Sequence, residues 1–473
     1  MTGFYDEILA KNGVYKYYGN GEWKETSSNR TVPVVNPSTL KKDFQVQACT
    51  QDEVNAVFDA AKKVHRSWAK TPLWKRAEYL HKVDALLKEN VEPMANALVK
   101  EIAKPAKDAK TEVVRSGDLI SYTAEEGVRF LGQGKLLNSD SFPGQERSKM
   151  CLCQKVPLGV VLCIPPFNYP VNLAVSKMAP ALMAGNVVVV KPPSQGAVSA
   201  LHMIQTFHKA GFPPGVVQCV TGKGSEIGDF LTQHPAVNCI SFTGGDTGIS
   251  VSKKAGMIPI QMELGGKDAC IVCHDADIDL AAKNIVKGGF SYSGQRCTAV
   301  KVVLVMEEVA DELVKKVNKG VEELTVGMPE EDGWHGPQLL RLSRSIWSGS
   351  LFVPLSTSRL YVRWSTYSLE TDHDAAPTFQ DSDEEFVLSE SDEDEPQLGK
   401  SRGKRKGKLT RTRKTRGMLA DKQKGPKSFA VMLEEAELDP LPPEVPTYLT
   451  AAVGPSRTAS ARKWCSVCGN LSP

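Results

Sequence analysis

Between residues 159 and 264 five short, mostly apolar runs alternate with four segments of helical spacing. The runs are 159–164, 186–191, 216–220, 238–242 and 260–264, and helices are predicted between them at 172–182, 197–210, 225–231 and 247–254. A strand with one face in water alternates polar and apolar residues. The run Gly-Val-Val-Leu-Cys-Ile at 159–164 does not alternate, so it reads as a strand covered on both faces, the usual condition in a parallel sheet. Strands joined through helices cross over with one hand. The expectation is an α/β fold, a doubly wound parallel-sheet nucleotide-binding domain with ligands at the carboxyl ends of its strands.

Upstream, Thr50-Gln51-Asp52-Glu53 reads as a capping box before the helical stripe Val54, Val57, Phe58, Ala61 and Val64. A longer helical pattern covers 73–104, with an interruption expected near Pro93. The longest apolar runs are too short to cross a bilayer. The N-terminus lacks the basic-then-apolar order of a secretory leader. Eleven cysteines without such a leader imply reduced thiols and a cytoplasmic location, and they exclude a secreted disulfide scaffold.

Lys and Arg number 58 against 55 Asp and Glu. That balance excludes a uniformly basic nucleic-acid binder, but it hides blocks. Residues 381–385 and 390–395 are acidic and 400–416 are basic, while the aromatics of 338–380 follow no period. Like charges cannot collapse into a core, so 333–426 is expected to be a disordered linker.

Four constellations stand at or beyond predicted strand ends. They are Pro165-Pro166-Phe167-Asn168-Tyr169-Pro170, Lys191-Pro192-Pro193-Ser194-Gln195, Thr243-Gly244-Gly245-Asp246-Thr247-Gly248, and Glu263-Leu264-Gly265-Gly266-Lys267 with Gly294-Gln295-Arg296-Cys297-Thr298. In this order they resemble the aldehyde dehydrogenase superfamily. With Gly19-Asn20-Gly21-Glu22-Trp23, Asn36-Pro37 and Glu101-Ile102-Ala103-Lys104-Pro105, residues 1–332 resemble its NADP-dependent, non-phosphorylating glyceraldehyde-3-phosphate dehydrogenases.

The resemblance implies a chemistry. An aldehyde must become a tetrahedral adduct before it gives up hydride. Cys297 would supply the sulfur, Asn168 with the Cys297 backbone N–H would hold the oxyanion, and Glu263 would activate water against the thioester. Neighbouring Arg296 is a cation able to favour the thiolate. Lys191 is implied to reach the adenosine ribose. NAD-preferring members often carry a carboxylate a few residues later. Here Ser194 and neutral Gln195 stand in that region, which favours NADP as cofactor. Gly244 and Gly248 would bring a helix N-terminus to the pyrophosphate, although the same glycines equally suit a plain strand-to-helix turn. Arg115, Tyr169 and Arg296 match positions that hold the phosphate of a phosphorylated aldehyde, with Arg115 equally readable as a surface charge on a helix.

The expected organisation is a nucleotide domain at 1–136 and 158–262, a bridging hairpin at 137–157 and a truncated α/β catalytic domain at 263–332. The family's Glu-x-Phe-Gly-Pro loop and its oligomerisation strand do not follow Asp332, though a homo-oligomer is what the family implies. Residues 427–473 resemble a HIT-type zinc-finger subunit of chromatin-remodelling complexes. The abrupt change near Asp332 therefore reads as two unrelated segments joined. Cys465 and Cys468 have zinc-ligand spacing, but further ligands do not follow, and in a strand Cys270 and Cys273 face opposite sides. No metal site is expected. The competing reading is a chromatin-associated interaction protein that carries a vestigial enzyme portion.

Overall fold

The computed structural model describes residues 3–138, 149–325 and 327–331, and the backbone alone at 351–355. Strands β1 (Tyr17–Gly19) and β2 (Glu22–Lys24) form a hairpin. It turns through Asn20 and Gly21, both in the left-handed region at φ 55° and 83°, where glycine carries no steric cost. A second hairpin joins β3 (Thr31–Val35) to β4 (Lys42–Gln47).

Helix α1 (Gln51–Ala69) begins on the expected capping box. The Thr50 hydroxyl accepts from the Glu53 N–H at 3.2 Å, and the Glu53 carboxylate accepts from the Thr50 N–H at 2.8 Å. Its stripe Val54, Val57, Phe58, Ala61 and Trp68 is buried. The pattern expected over 73–104 resolves into α2 (Leu73–Glu89) and α3 (Val91–Ile102), which part at Asn90 rather than at Pro93. Pro93 lies in the first turn of α3, where its missing N–H would have had no intrahelical acceptor. Helix α4 (Ala106–Leu131) follows. An antiparallel pair, β5 (Lys135–Asn138) and β6 (Met150–Cys153), then leads into the sheet.

The five parallel strands are β7 (Val160–Ile164), β8 (Val187–Val190), β9 (Val217–Cys219), β10 (Cys239–Thr243) and β11 (Ile260–Glu263). The helices between them are α5 (Asn172–Met183), α6 (Ala197–Lys209), α7 (Gly224–Thr232) and α8 (Thr247–Lys254). All four valines of β8 are fully buried, as the lack of alternation required. The sheet order is β11-β10-β7-β8-β9-β1-β2. The chain winds outward from β7 through β8 and β9, then returns to lay β10 and β11 on the other side. The order therefore reverses at the β7–β10 boundary, where doubly wound sheets open a crevice at the carboxyl edge. The sheet exceeds expectation by two strands, because β1 pairs antiparallel with β9 through Tyr18 and Cys219.

A second sheet is built from β12 (Ala269–Val272) and β13 (Val302–Met306), with α9 (Ile278–Phe290) and α10 (Glu307–Glu322) packed on it. Its core is separate and holds Val272, Ile285, Val303, Val305, Leu313 and Val317. A third strand, β14 (Leu351–Leu355), pairs parallel with β13. It lies inside the 333–426 stretch read from the sequence as a linker. Leu-Phe-Val-Pro-Leu is apolar, and β13 offers an open row of backbone donors and acceptors. Pro354 lacks an N–H, which an edge strand tolerates. The remainder of 333–426, and all of 427–473 with Cys465 and Cys468, lie outside the described residues.

Candidate active site

The parallel register aligns the strand ends. Phe242 pairs with Ile164, Cys163 with Val190, and Thr243 with Glu263. Asn168, Lys191, Gly244 and Glu263 therefore emerge along one carboxyl edge. Asn168 is buried, and its Nδ2 donates to the Gln295 carbonyl at 2.8 Å. That bond joins the oxyanion candidate to the loop of the sulfur candidate, two residues before Cys297. An amide Nδ2 carries two N–H groups, and the second has no partner among the described residues.

The loop that delivers Cys297 is unusual in its backbone. Tyr292 and Ser293 take left-handed φ values of 51° and 53° and are buried. Non-glycine residues pay for that conformation with strain, which persists only where packing over-determines it. The packing here is a T-shaped contact of Tyr292 with Tyr169 at 5.9 Å between ring centroids. Cys297 itself is exposed. The Arg296 guanidinium donates to the Ser291 hydroxyl at 3.0 Å.

Behind Asn168 stands a buried ion pair to which the sequence reading assigned no role. Lys104 and Glu112 are both fully enclosed and bonded to each other. The Lys104 ammonium also donates to the Asn168 carbonyl at 2.7 Å, and it lies 3.6 Å from the Tyr169 ring centroid and 4.5 Å from that of Tyr292. Glu112 accepts in turn from the Val171 and Asn172 N–H groups at 3.0 Å each. One cation and one carboxylate thus fix the Asn168–Asn172 segment from both sides. Burial pulls the Lys104 ammonium below its usual value, and Glu112 opposes that shift.

Glu263 ends β11 with an exposed side chain, and its carbonyl accepts from the Gly244 N–H at 3.1 Å. Buried Lys177 of α5 donates to the Thr243 hydroxyl at 2.5 Å and feels the Glu263 charge. Among the described residues no hydrogen bond joins Glu263 to Cys297.

Lys191 follows β8 and is buried. Burial lowers its ammonium to about 8, and its Nζ has no hydrogen-bond partner among the described residues. It is a cation held ready for an anion. Ser194 is half-buried. Gln195 turns inward, and its amide donates to the carbonyls of Val35, at 2.5 Å, and Glu101. The Glu101 carboxylate is fully buried and accepts from the Val198 N–H at 2.8 Å, the Ser199 N–H at 2.9 Å and the Ser199 hydroxyl at 2.5 Å. Glu101 therefore anchors the start of α6 through its side chain and Gln195 through its backbone. A carboxylate at position 195 could donate to neither carbonyl, so neutrality there is a structural requirement as well as an electrostatic one.

Gly248 of α8 packs so closely that a Cβ would stand 2.6 Å from Leu264 Cδ2, whereas Gly244 meets the Phe242 ring at 2.7 Å. Gly245 faces open space. The first turn of α8 receives no side-chain cap from Asp246, and its Gly248 and Ile249 N–H groups donate to the Gly245 and Asp246 carbonyls, each at 2.9 Å. Lys191, Ser194 and the start of α8 each follow the carboxyl end of a parallel strand, β8 for the first two and β10 for the third. Arg115 is exposed on α4 and Arg296 is half-buried. Burial raises the Tyr169 hydroxyl, and the charges of Arg296 and Arg115 both act against that rise.

The sequence pattern of the aldehyde dehydrogenase family matches residues 23–342. Over 331 residues the chain is 73% identical to the NADP-dependent glyceraldehyde-3-phosphate dehydrogenase of Arabidopsis thaliana, a match that covers 70% of this chain and 66% of that protein. It is 49% identical over 319 residues to the protein of the same name from Streptococcus equinus, covering 67% and 66% respectively. The crystal structure of NADP-dependent glyceraldehyde-3-phosphate dehydrogenase from Bacillus halodurans C-125, complexed with NADP, superposes with a TM-score of 0.66 at 46% identity, over 68% of this chain and 67% of that one. The chain spans 66% of the length of the curated relatives it matches, just under two thirds. The family pattern covers more than half of the sequence, and the parallel sheet with its asparagine amide bonded to the cysteine loop is in keeping with it: the chain belongs to the aldehyde dehydrogenase family.

Proposed function

We propose that the chain oxidises an aldehyde to the free acid with NADP as hydride acceptor, and that the aldehyde is glyceraldehyde 3-phosphate. The observation that carries this reading is the 2.8 Å bond from the Asn168 amide to the Gln295 carbonyl, which sets an oxyanion donor beside the Cys297 loop. The Cys297 sulfur adds to the aldehyde carbon, and the second Asn168 N–H stabilises the developing oxyanion. NADP, when bound, supplies the acceptor for the departing hydride, and Lys191, Ser194, Gly244 and Gly248 would hold it. The carbon is then a thioester on Cys297. Glu263 takes a proton from water, the hydroxide adds to the carbonyl, and sulfur leaves as thiolate.

The phosphate is assigned to Arg115, Tyr169 and Arg296, since a guanidinium matches a phosphate with two parallel donors. The relatives named above carry both NADP and glyceraldehyde 3-phosphate in their names, which supports the assignment. The exposed thiols Cys151, Cys153, Cys273 and Cys297 suit a reducing cytosol, the compartment we propose. Self-association, where it occurs, would use the apolar face of β5 and β6, on which Leu136, Met150 and Leu152 are exposed. No observation favours the chromatin reading, whose residues 427–473 lie outside both the described residues and the family match.

The test is NADPH production by the full chain, with glyceraldehyde 3-phosphate set against glyceraldehyde. Arg115→Ala is expected to raise KM for the phosphorylated substrate and leave the unphosphorylated one unchanged. Equal kcat/KM for both aldehydes would remove the phosphate assignment while the oxidation stood.

A further inference from the structure

Strand β6 carries two cysteines on one face. Cys151 and Cys153 are two residues apart, so their side chains project to the same side. Both are exposed, and their sulfur atoms lie 3.6 Å apart. The antiparallel register sets Leu137 opposite Cys151 and Lys135 opposite Cys153, which gives this face a cation across the ladder. The exposed apolar residues Leu136, Met150 and Leu152 occupy the other face. The two thiols share a hydrogen bond, and that bond raises the Cys151 thiol, with the Cys153 charge adding to the rise. Elsewhere the pattern differs: Cys49, Cys163 and Cys219 are buried, and Cys273 lies past the end of β12.

The separation decides what the pair can do. Two thiolates bound at about 2.3 Å to one trigonal-pyramidal centre, with an angle of about 100° between them, stand about 3.5 Å apart, close to what the strand already provides. A disulfide instead needs sulfurs about 2.05 Å apart and Cα atoms no more than about 6.8 Å apart. Two residues of an antiparallel strand already span about 6.8 Å, so that bond would contract β6 against its pairing with Lys135 and Leu137. Chelation leaves the ladder untouched.

We propose that Cys151 and Cys153 form a solvent-facing dithiol that takes one soft, thiophilic centre, a trivalent arsenical, between its two sulfurs. With phenylarsine oxide two As–S bonds form, the bonds from arsenic to oxygen break, and both thiol protons leave with that oxygen as water. Nothing is oxidised or reduced.

The experiment treats the full chain with phenylarsine oxide and maps the adduct by tryptic peptide mass spectrometry. Cleavage after Lys149 and Lys155 releases Met-Cys-Leu-Cys-Gln-Lys, which holds both sulfurs and no other cysteine. The expected result is one phenylarsenic group on that peptide, removed by 2,3-dimercaptopropanol. Cys151→Ser or Cys153→Ser is expected to weaken retention about 100-fold or more, since the second sulfur binds at high effective concentration. Both positions are exposed, so an unchanged thermal midpoint verifies folding. The proposal is overturned if a single serine variant keeps wild-type retention, if the adduct appears only on the peptide that holds Cys465 and Cys468, or if the pair is isolated as a disulfide without added oxidant.

Discussion

Replacing Lys104 by methionine isolates the element that fixes Asn168. The methionine fills most of the lysine volume but removes the charge. Glu112 keeps its two backbone donors at Val171 and Asn172, while its other oxygen loses its only described partner in a fully buried site. Removing one member of a buried ion pair costs about 3–5 kcal/mol, because the remaining charge is left uncompensated. At about 2–4 °C per kcal/mol for a domain of this order, the thermal midpoint should fall by roughly 6–20 °C. Glu112→Gln should cost a similar amount by stranding the ammonium, although Gln still accepts from the two N–H groups. The double variant neutralises both members, so its loss should be smaller than the sum of the single losses by about 2–3 kcal/mol. Urea unfolding midpoints across the cycle measure that coupling, and hydrogen exchange at the Val171 and Asn172 amides reads the local consequence. Single losses below about 1 kcal/mol that simply add would refute a pair that holds the segment.

Other consequences follow from the crevice. Burial lowers the Lys191 ammonium from 10.5 to about 8, so it is protonated below that pH and loses its proton above it. An anionic phosphate binds the protonated form, so NADP affinity should be flat below pH 8 and fall about tenfold per unit above it. Fluorescence titration checks this, and Lys191→Met should bind more weakly with no such slope. In the free protein the unfolded chain holds more protons than the fold between pH 8 and 10.5, so stability should rise with pH across that window. Gln195→Glu sets a carboxylate against the carbonyls of Val35 and Glu101, which should cost about 1–3 kcal/mol and lower the preference for NADP over NAD. An unchanged thermal midpoint would show that the amide bonds carry no weight.

The five parallel strands were legible because buried strands must be apolar on both faces, as in the valine run of β8. The start of α1 was legible because Thr50 and Glu53 satisfy each other within one turn. The antiparallel strand β1 was not, since Tyr17 and Tyr18 are buried only through a partner near Cys219, some two hundred residues away. Cys297, Asn168 and Lys191 were nominated by motif order alone. Lys104 and Glu112 did not. Lys and Glu ordinarily read as solvated, and nothing local marks a pair that becomes buried when α4 docks against α5 and the Tyr169 ring. The anchoring of Gln195 was equally hidden, because its acceptors are backbone carbonyls, which carry no sequence signature.

The central claim is that Cys297 forms a covalent bond with the oxidised carbon. Mixing the chain with NADP and glyceraldehyde 3-phosphate, quenching in acid and digesting with trypsin yields the peptide Cys-Thr-Ala-Val-Lys, cut after Arg296 and Lys301. The account predicts a phosphoglyceroyl thioester on that peptide, formed together with NADPH and enriched by Glu263→Gln, which slows its hydrolysis. NADPH formed at an undiminished rate by Cys297→Ala, or an acyl group on another cysteine, would contradict it.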